Sequence, residues 1–363
     1  MKVWQVPLEK VASYIKRGVA PKYVEDDGIC VLNQKCVREG RVNLEPARLT
    51  DKNTRLAPDK VLQNGDILVN STGTGTLGRT AYFQYIEEFE QAVVDTHITI
   101  VRPDTTIVNP RYLAYELRQN ELAIVNMARG ATNQVELSAN DLSLLLVRMR
   151  DRREQDRIAS ILSAYDDLIE NNRRRIQLLE QAARMLYREW FVHLRFPGHE
   201  HVKIKNGVPE GWERVPTPEA IEANPSTRLS DEPEHWTVEM ADLPIDSMVI
   251  QQTVKREGRS GSKFCNGDTL FARITPCLEN GKTVFVDFME EDEVGRGSTE
   301  FIVLRSKRVT PEYVYCLART YDFRENAIKS MVGSSGRQRV QESCFEKFLV
   351  LVPPSTLLTL FAD

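Results

Sequence analysis

The sequence repeats itself, and this repeat constrains the fold more than any other feature of the chain. The run Asn64–Val69 reads Asn-Gly-Asp-Ile-Leu-Val, and Asn266–Phe271 reads Asn-Gly-Asp-Thr-Leu-Phe. Further matches keep the same order and a nearly constant offset: Ile98–Arg102 with Phe301–Arg305, Asn109–Leu113 with Thr310–Val314, and Leu144–Val147 with Leu349–Val352. Ordered matches of this kind indicate duplication of a whole structural unit. We therefore predict two homologous domains, at residues 1–150 and 208–354.

Each copy has the pattern of a β-rich domain. Short apolar or alternating runs lie between Gly, Asn, Asp and Pro residues, a pattern that predicts strands joined by turns. One helix is expected after Pro110 and another after Pro311, because proline is favoured in the first turn of a helix. The predicted fold class is α+β.

A segment of different character joins the copies, from Asp151 to about Arg195. Asp151 followed by Glu154 resembles a capping box, and no Gly or Pro interrupts the segment before Pro197. Its seam positions recur in alternating steps of four and three, as in a coiled coil. The seam residues are Ile158, Leu162, Tyr165, Ile169, Asn172, Ile176, Leu179, Ala183, Leu186 and Trp190. We predict a long spacer helix over residues 151–196, roughly 60 Å in length, and a linker over residues 197–207.

A coiled-coil seam requires a second helix. By the repeat, this helix should follow Val352, but the sequence ends at Asp363. Residues 355–363 are therefore predicted to be the stub of a truncated second spacer helix, unless the partner helix comes from another polypeptide. Asn172 is placed to set the register of such a pair, or is simply a polar position that the seam tolerates.

Composition narrows the functional classes. The chain has 48 Lys and Arg residues against 52 Asp and Glu, a net charge of −4, which argues against a polycation that coats nucleic acid. Local basic surfaces remain compatible with this balance. The sequence shows neither an apolar run of about 18 residues nor a secretory signal, so we expect a cytoplasmic protein. The six cysteines lack Cys-x-x-Cys pairing, which indicates neither a zinc site nor a disulfide framework.

Three short motifs resemble chemical sites. Gly73–Gly78 fits G-x-G-x-x-G, but Arg79–Phe83 reads as a strand where a dinucleotide site needs a helix, so a hairpin turn or a loop facing nucleic acid is expected. Asn109–Tyr112 lacks the second proline of the methyltransferase motif that binds a flipped base, and reads as a helix start. His199–His201 lies in a polar linker without further candidate metal ligands. We therefore predict no catalytic residues and no metal site.

The remaining candidates are polar side chains and long donors in loops rich in Gly, Ser and Thr. Lys and Arg neutralise phosphates, while Arg, Asn and Gln pair with the edges of guanine and adenine. The predicted DNA-binding residues of the first copy are Ser71, Thr72, Thr74, Thr76, Arg79, Arg129, Thr132, Asn133 and Gln134. Those of the second copy are Lys255, Arg256, Arg259, Lys263, Arg273, Lys282, Ser334, Ser335, Arg337, Gln338 and Arg339. The alternative for each residue is a solvated loop.

The spacer segment also carries a family resemblance. Glu154-Gln155, Ile158-Ala159, Asp166–Asn172 and Trp190-Phe191, in that order, resemble the central conserved helix of type I restriction-modification specificity (S) subunits. The two Asn-Gly-Asp runs are similar to a recurring strand of that family. The resemblance covers nearly the whole chain, except that the distal conserved helix of the family is missing.

This resemblance implies two target-recognition domains held apart by antiparallel helices, which read a bipartite, asymmetric site on double-stranded DNA. It also implies that two methyltransferase (M) subunits and the restriction (R) subunits supply the chemistry, with S-adenosylmethionine, ATP and Mg²⁺ bound there and no cofactor in this chain. The expected function is a non-catalytic DNA sequence-recognition subunit in phage defence. The alternatives are a coiled-coil scaffold that binds no DNA, and a shortened S subunit that pairs with a second copy of itself through the spacer helix.

Overall fold

The chain forms two compact units, Met1–Glu170 and Asn171–Asp363. The computed structural model describes residues 3–54, 56–73, 75–130, 135–245, 247–250, 253–334 and 336–363. The predicted α+β class is confirmed, and in the sequence one long helix lies between two β-rich regions. Within the described part, no helix is long and apolar enough to cross a membrane.

The first unit consists of two four-stranded sheets with flanking helices. Its strands are β1 (Trp4–Pro7), β2 (Ala12–Arg17), β3 (Tyr23–Val24), β4 (Gly28–Leu32), β5 (Val37–Arg38), β6 (Arg41–Val42), β7 (Arg48–Asp51), β8 (Ile67–Asn70), β9 (Thr80–Tyr82), β10 (Ala92–Val94), β11 (Ile98–Pro103) and β12 (Leu146–Met149). Its helices are α1 (Pro110–Gln119), α2 (Glu121–Met127), α3 (Ala139–Ser143) and the first part of α4 (Arg152–Tyr187). One sheet has the order β2-β11-β8-β9 and the other β10-β4-β7-β3, while β1 pairs with β12 and β5 with β6.

The second unit has a closely similar composition of elements. Its strands are β13 (Ile204–Lys205), β14 (Val208–Pro209), β15 (Glu213–Pro216), β16 (Ile221–Ala223), β17 (Glu234–Val238), β18 (Val254–Glu257), β19 (Ser262–Cys265), β20 (Thr269–Ala272), β21 (Thr283–Phe285), β22 (Val294–Gly297), β23 (Phe301–Ser306) and β24 (Leu349–Val352). Its helices, besides the second part of α4, are α5 (Thr217–Ala220), α6 (Pro311–Ala318), α7 (Tyr321–Lys329) and α8 (Ser355–Ala362). The sheets have the orders β16-β23-β20-β21 and β18-β17-β22-β19, while β15 pairs with β24 and β13 with β14.

The strand order confirms the repeat. The sheet β2-β11-β8-β9 corresponds strand for strand to β16-β23-β20-β21, and the terminal pair β1-β12 corresponds to β15-β24. The other four-stranded sheet of each unit contains one parallel pair of strands. This pair is β4 with β10 in the first unit and β17 with β22 in the second. The additional strands differ, because β3 pairs with β7 in the first unit whereas β19 pairs with β22 in the second. The copies thus share a framework and diverge at a sheet edge.

The repeated Asn-Gly-Asp motif anchors this framework. In the first unit, Gly65 adopts a left-handed backbone conformation, with a φ of 97°, which glycine adopts without steric cost. Asp66 follows it and is only 1% exposed. Its carboxylate accepts hydrogen bonds of 2.8 Å from both Nε and Nη2 of Arg102 on β11, and a third of 2.8 Å from the backbone N–H of Gln63. The ion pair therefore joins the start of β8 to β11.

The second unit repeats this anchor. Asp268 is also 1% exposed and accepts hydrogen bonds of 2.7 and 2.6 Å from Nε and Nη2 of Arg305 on β23. The backbone N–H of Cys265 completes the set at 2.7 Å. A bidentate, charge-assisted pair of this kind has a defined geometry, which explains why the motif occurs in both copies.

Equivalent tyrosines also tie each helix to the terminal strand pair. Helix α1 begins at Pro110 as predicted, and the side chain of Asn109 caps it by accepting a hydrogen bond from the backbone N–H of Tyr112. The hydroxyl of Tyr112 donates to the carbonyl of Arg148 on β12 at 2.9 Å. The hydroxyl of Tyr313 on α6 likewise donates to the carbonyl of Leu351 on β24 at 2.7 Å. Both tyrosine rings are buried in the cores of their units.

The long helix α4 begins where the sequence predicts. The carboxylate of Asp151 accepts a hydrogen bond of 3.0 Å from the backbone N–H of Glu154. The helix ends earlier than predicted, however, at Tyr187 rather than about Arg195. A single π-helical turn, Arg188–Val192, and a left-handed residue, Leu194, follow it. The aromatic packing of this turn accounts for the change in geometry, since Phe191 lies in the core of the second unit.

Helix α4 contacts each unit through a few buried side chains. In the first unit, Gln155 is buried, accepts from the backbone N–H of Asn109 at 2.8 Å and donates to the carbonyl of Arg150 at 2.8 Å. In the second unit, Glu180 is buried and accepts from the backbone N–H of Met248 at 2.7 Å. Apolar side chains of α4 add to these polar contacts, because Ala159 lies in the core of the first unit with Ile158 packed against it, and Tyr187 lies in the core of the second.

The domain boundaries proposed from the sequence remain predictions. The structure differs from the sequence analysis in the linker and in the last nine residues. The predicted linker, residues 197–207, includes strand β13 and a short 3₁₀ turn, His199–His201, because Ile204 and Lys205 pair with β14. The predicted stub forms α8, whose Leu358 and Phe361 are buried in the second core. The six cysteines are unpaired, and burial raises the pKa of the Cys30 thiol to about 12.

Candidate nucleic-acid interface

Two of the predicted loops lie side by side in the first unit. Residues 71–79 connect β8 to β9, and Arg129 and Glu136 pair with each other at the two ends of a second segment. This segment is closed by two backbone hydrogen bonds of 2.9 Å between Arg129 and Glu136. Thr72 forms an antiparallel bridge with Glu136 and thereby joins the two loops. We call residues 71–79 and 129–136 the first loop pair.

The second unit contains the equivalent arrangement at residues 273–282 and 332–339, which we call the second loop pair. Two backbone hydrogen bonds of 3.0 Å join Val332 to Arg339, and Ile274 bridges to Arg339 as Thr72 does to Glu136. The two segments even share a backbone detail, because Gly130 and Gly333 have φ values of 139° and 140°. The fold thus presents two loops together in each unit, although they lie far apart in the sequence.

The first loop pair holds several of its predicted donors within the protein. Ser71 is buried, and its hydroxyl lies 2.6 Å from that of Thr99, so its side chain is not accessible to DNA, contrary to the prediction. The Thr76 hydroxyl donates to Gln34 Oε1 at 3.3 Å, and Arg129 pairs with Asp141 at 3.0 Å. Thr72 and Arg79 are half-buried at the surface. Thr74, Thr132, Asn133 and Gln134 lie outside the described residues, so their predicted contacts stay predictions.

The second loop pair contains two arginines that carboxylates hold and one that is exposed. Arg339 donates to both carboxylate oxygens of Glu300, at 2.6 to 3.0 Å, and Arg273 pairs with Glu342 at 3.2 Å. Arg337, in contrast, is exposed at the hairpin tip, where its backbone N–H bonds to the carbonyl of Ser334 at 3.0 Å.

The other predicted residues of this pair have mixed roles. Lys282 donates to the carbonyl of Met240 at 2.6 Å, which makes it a positioning contact within the unit. Ser334 is exposed and Gln338 is half-buried, and the Gln338 carbonyl accepts from the backbone N–H of Thr275 at 3.0 Å. Ser335 lies outside the described residues.

The remaining predicted cations lie on the other sheet of the second unit. Lys255 on β18 pairs with Glu293 at 2.7 Å, while Arg256 on the same strand is exposed. Arg259 donates to the carbonyl of Ser230 at 2.9 Å, and Lys263 on β19 donates only to backbone carbonyls. Lys263 and Arg273 line one open cavity, which connects this sheet to the second loop pair.

The structure adds polar residues that the sequence analysis missed. His97 is exposed, with Nδ1 2.8 Å from the Thr72 hydroxyl, and Gln34 contacts Thr76. Arg296 on β22 lies directly opposite Lys263. Composition gave no signal for His97 or Gln34, whereas Arg296 stands among Gly and Ser residues in Gly295–Thr299 and shares the signal of the predicted donors.

The G-x-G-x-x-G segment connects two antiparallel strands. Gly73, Gly75 and Gly78 have φ values of 96°, 78° and 83°, and strand β9 follows them, paired with β8. The dinucleotide motif requires a helix at this point. The structure therefore confirms a strand-to-strand connection, as the sequence predicts.

Comparison with known proteins finds similarity to type I specificity subunits over part of the chain. Residues 19–181 match the model of the type I restriction modification DNA specificity domain. The EcoEI specificity subunit of Escherichia coli is 30% identical over 158 residues, covering 41% of this chain and 26% of that relative. The HindI specificity subunit of Haemophilus influenzae is 31% identical over 137 residues, covering 37% of this chain and 29% of that relative. The family resemblance found in the sequence is thus confirmed.

The shared fold extends beyond the matched domain. The crystal structure of a type I restriction-modification S subunit from M. genitalium superposes with a TM-score of 0.58 at 14% identity, covering 100% of this chain and 90% of that one. This likeness concerns the fold. The sequence matches span less than a third of the length of either of the two specificity subunits.

Proposed function

We propose that this chain is the DNA sequence-recognition subunit of a type I restriction-modification complex and reads a bipartite, asymmetric site on double-stranded DNA. The chain itself is non-catalytic and acts in the cytoplasm. Two M subunits and the R subunits carry out methylation and cleavage, and S-adenosylmethionine, ATP and Mg²⁺ bind to those partners.

One observation carries the proposal: both units present a pair of adjacent loops on the same strand framework, with different side chains. The sequence between Arg129 and Glu136 includes Ala131-Thr132-Asn133-Gln134, whereas the sequence between Val332 and Arg339 includes Ser334-Ser335-Gly336-Arg337. A shared framework with divergent loop chemistry is what two readers of different base strings need, because side-chain donors and acceptors discriminate the base edges. A scaffold protein has no such need.

Two arginines of the second loop pair, Arg337 and Arg339, have different surroundings and therefore different roles. Arg339 is held by Glu300, and the hydrogen bonds from Arg339 lower the pKa of the Glu300 carboxyl, so this ion pair positions the hairpin. Arg337, in contrast, is exposed, and no carboxylate of the described residues forms an ion pair with it. We therefore assign DNA contact to Arg337 and loop positioning to Arg339.

Arg337→Ala is expected to weaken binding to the cognate duplex by about 1–3 kcal/mol if the guanidinium contacts a base edge. Arg339→Ala should also weaken binding, because the hairpin loses its contact with Glu300. Electrophoretic shift at physiological salt, with the M subunits present, measures both effects. Lys329→Ala, which removes a cation from the exposed face of α7, is the matched control and should bind normally. Unchanged affinity in both arginine variants would remove this hairpin from the interface.

A second candidate function, pairing of two copies through α4, rests on the exposed seam. Tyr165 is 64% exposed and Leu179 is 66% exposed, although both are large and apolar. The seam is nearly symmetric about Asn172, since Ile169 and Ile176 flank it and Tyr165 and Leu179 follow at similar distances. Two identical helices packed antiparallel would therefore bring Ile169 of one copy opposite Ile176 of the other. We infer that a second copy of the helix can cover this seam.

Ile176→Ala should then weaken self-association at least tenfold, because burial of an Ile side chain contributes about 1.5–3 kcal/mol and 1.4 kcal/mol corresponds to a factor of ten. Arg174→Ala, on the face opposite the seam, is the control and should leave self-association unchanged. Light scattering across micromolar concentrations gives the mass of each variant. A wild-type chain that stays monomeric at every concentration would contradict this pairing.

A further inference from the structure

The edge of the second sheet in the second unit carries an unusual pair of like charges. Strands β19 and β22 are antiparallel, and Lys263 lies directly opposite Arg296. The Cβ atoms of directly opposed residues are about 4.5–5.5 Å apart, and like charges in this position are destabilising. An anion bound beside these two cations would offset the repulsion between them.

No carboxylate in the described part of the chain compensates these two cations. The Lys263 ammonium donates to the carbonyls of Arg259 and Gly261, both at 2.6 Å, and Nη2 of Arg296 donates to the carbonyl of Glu257 at 2.6 Å. Nε of Arg296 is buried without a hydrogen-bond partner. Backbone carbonyls orient the cations but leave their net charge in place, in contrast to Arg305, which Asp268 neutralises.

A third cation strengthens the local positive field. Arg259, in the loop between β18 and β19, donates to the carbonyl of Ser230 at 2.9 Å, and its nearest carboxylate, that of Asp231, is 3.7 Å away and exposed to solvent. Partial burial and the charges of Arg296 and Arg259 lower the pKa of the Lys263 ammonium. The surroundings of Lys263 thus disfavour its own positive charge.

Two glycines bring the loop against this pair. Gly258 has a φ of 124°, and a Cβ atom there would lie 3.2 Å from the guanidinium carbon of Arg296. Gly261 has a φ of 99°, and a Cβ atom there would lie 1.9 Å from the carbonyl oxygen of Gly297. A side chain at either position would therefore push the loop away from β22, the strand that carries Arg296.

We propose that Lys263 and Arg296, with Arg259 in the adjoining loop, bind a backbone phosphate of duplex DNA. This inference rests on the proposed DNA-recognition function and assigns the site a positioning role that is independent of base sequence. The cavity that Lys263 and Arg273 share also contains the hydroxyl-bearing residues Ser226, Thr227 and Ser262, which suit a phosphodiester surface. It connects the phosphate site to the second loop pair.

The site belongs to the second unit alone among the described residues. In the first unit the parallel pair β4-β10 has β10 at the sheet edge, so the strand that carries Lys263 has no counterpart there. The two units would therefore contact the DNA backbone through different residues.

The test uses the full chain with its M subunits and a pool of random-sequence duplexes. The logarithm of the binding constant falls linearly with the logarithm of salt concentration, with a slope of about −0.9 for each phosphate neutralised. The double variant Lys263→Gln/Arg296→Gln should make this slope shallower by about 0.9 and leave the ranking of duplex sequences unchanged. Arg296→Lys, which keeps the charge, should retain most of the wild-type slope. Lys329→Gln is the control for loss of a surface cation.

The outcomes separate this inference from the function on which it rests. A wild-type complex without affinity for any duplex would overturn the proposed function. Wild-type binding with an unchanged slope in the double variant would overturn the phosphate site alone, as would a changed sequence ranking, which would indicate base contact. Thermal unfolding keeps the result interpretable: inorganic phosphate should raise the Tm of the wild type more than that of the double variant.

Discussion

Asp66→Ala is expected to destabilise the first unit by about 3–5 kcal/mol, the usual cost of removing one partner from a buried ion pair. The variant leaves the guanidinium of Arg102 and the backbone N–H of Gln63 without the carboxylate that both now contact. Asp268→Ala should have the same effect on the second unit, because Arg305 then loses both of its bonds to the carboxylate. Denaturant unfolding followed by circular dichroism measures both losses.

The control for this prediction is an exposed ion pair. Lys52 pairs with Asp27, and their side chains are 57% and 84% exposed. Lys52→Ala should therefore cost no more than about 1 kcal/mol. If Asp66→Ala and Lys52→Ala had equal and small effects, the Asn-Gly-Asp motif would not anchor the framework as described.

The second large effect is expected from a change in the DNA rather than in the protein. Inserting one base pair between the two half-sites of the cognate duplex turns one half-site by about 34–36° relative to the other. If the two readers hold a set spacing, affinity should fall towards the non-specific level, a loss of about 10³-fold or more. Titration of labelled duplexes with the complex at constant salt measures this loss.

The matched control changes the bases of the gap without changing its length. This duplex should bind almost as well as the original, because the proposed readers contact only the half-sites. Equal affinity for duplexes with gaps of different lengths would contradict a recognition subunit that reads a bipartite site.

The sequence predicted the duplication, the long helix and the helices that begin at Pro110 and Pro311. These features depend on local patterns, such as periodic apolar residues, proline in a first turn and capping by Asp151. The same local patterns led to the family resemblance that the comparisons confirmed. Patterns of this range are visible without any knowledge of tertiary contacts.

The roles of individual polar side chains were harder to predict from the sequence. The residue type of Ser71 fits a DNA contact, but its hydroxyl faces Thr99 in the interior, which only the packing of β8 on β11 reveals. The opposition of Lys263 and Arg296 depends on the register between strands that are separated in the sequence. Residue types in loops suggest chemistry, whereas strand register and burial decide which donors are free to use it.

The exposed seam of α4 shows a similar limit. Its heptad spacing predicts a partner helix, and the exposure of Tyr165 and Leu179 agrees with an uncovered face. Spacing alone, however, does not distinguish a second copy from a different polypeptide, because both present the same apolar knobs. Measured masses, and not the pattern, will identify the occupant.

Selection of binding sites from a random duplex library by the full chain with its M subunits tests the central claim most directly. The account predicts that the enriched duplexes contain two half-sites of different sequence, separated by a gap of one constant length. Enrichment of a single uninterrupted motif, half-sites at variable separations, or no enrichment over the starting library would contradict it.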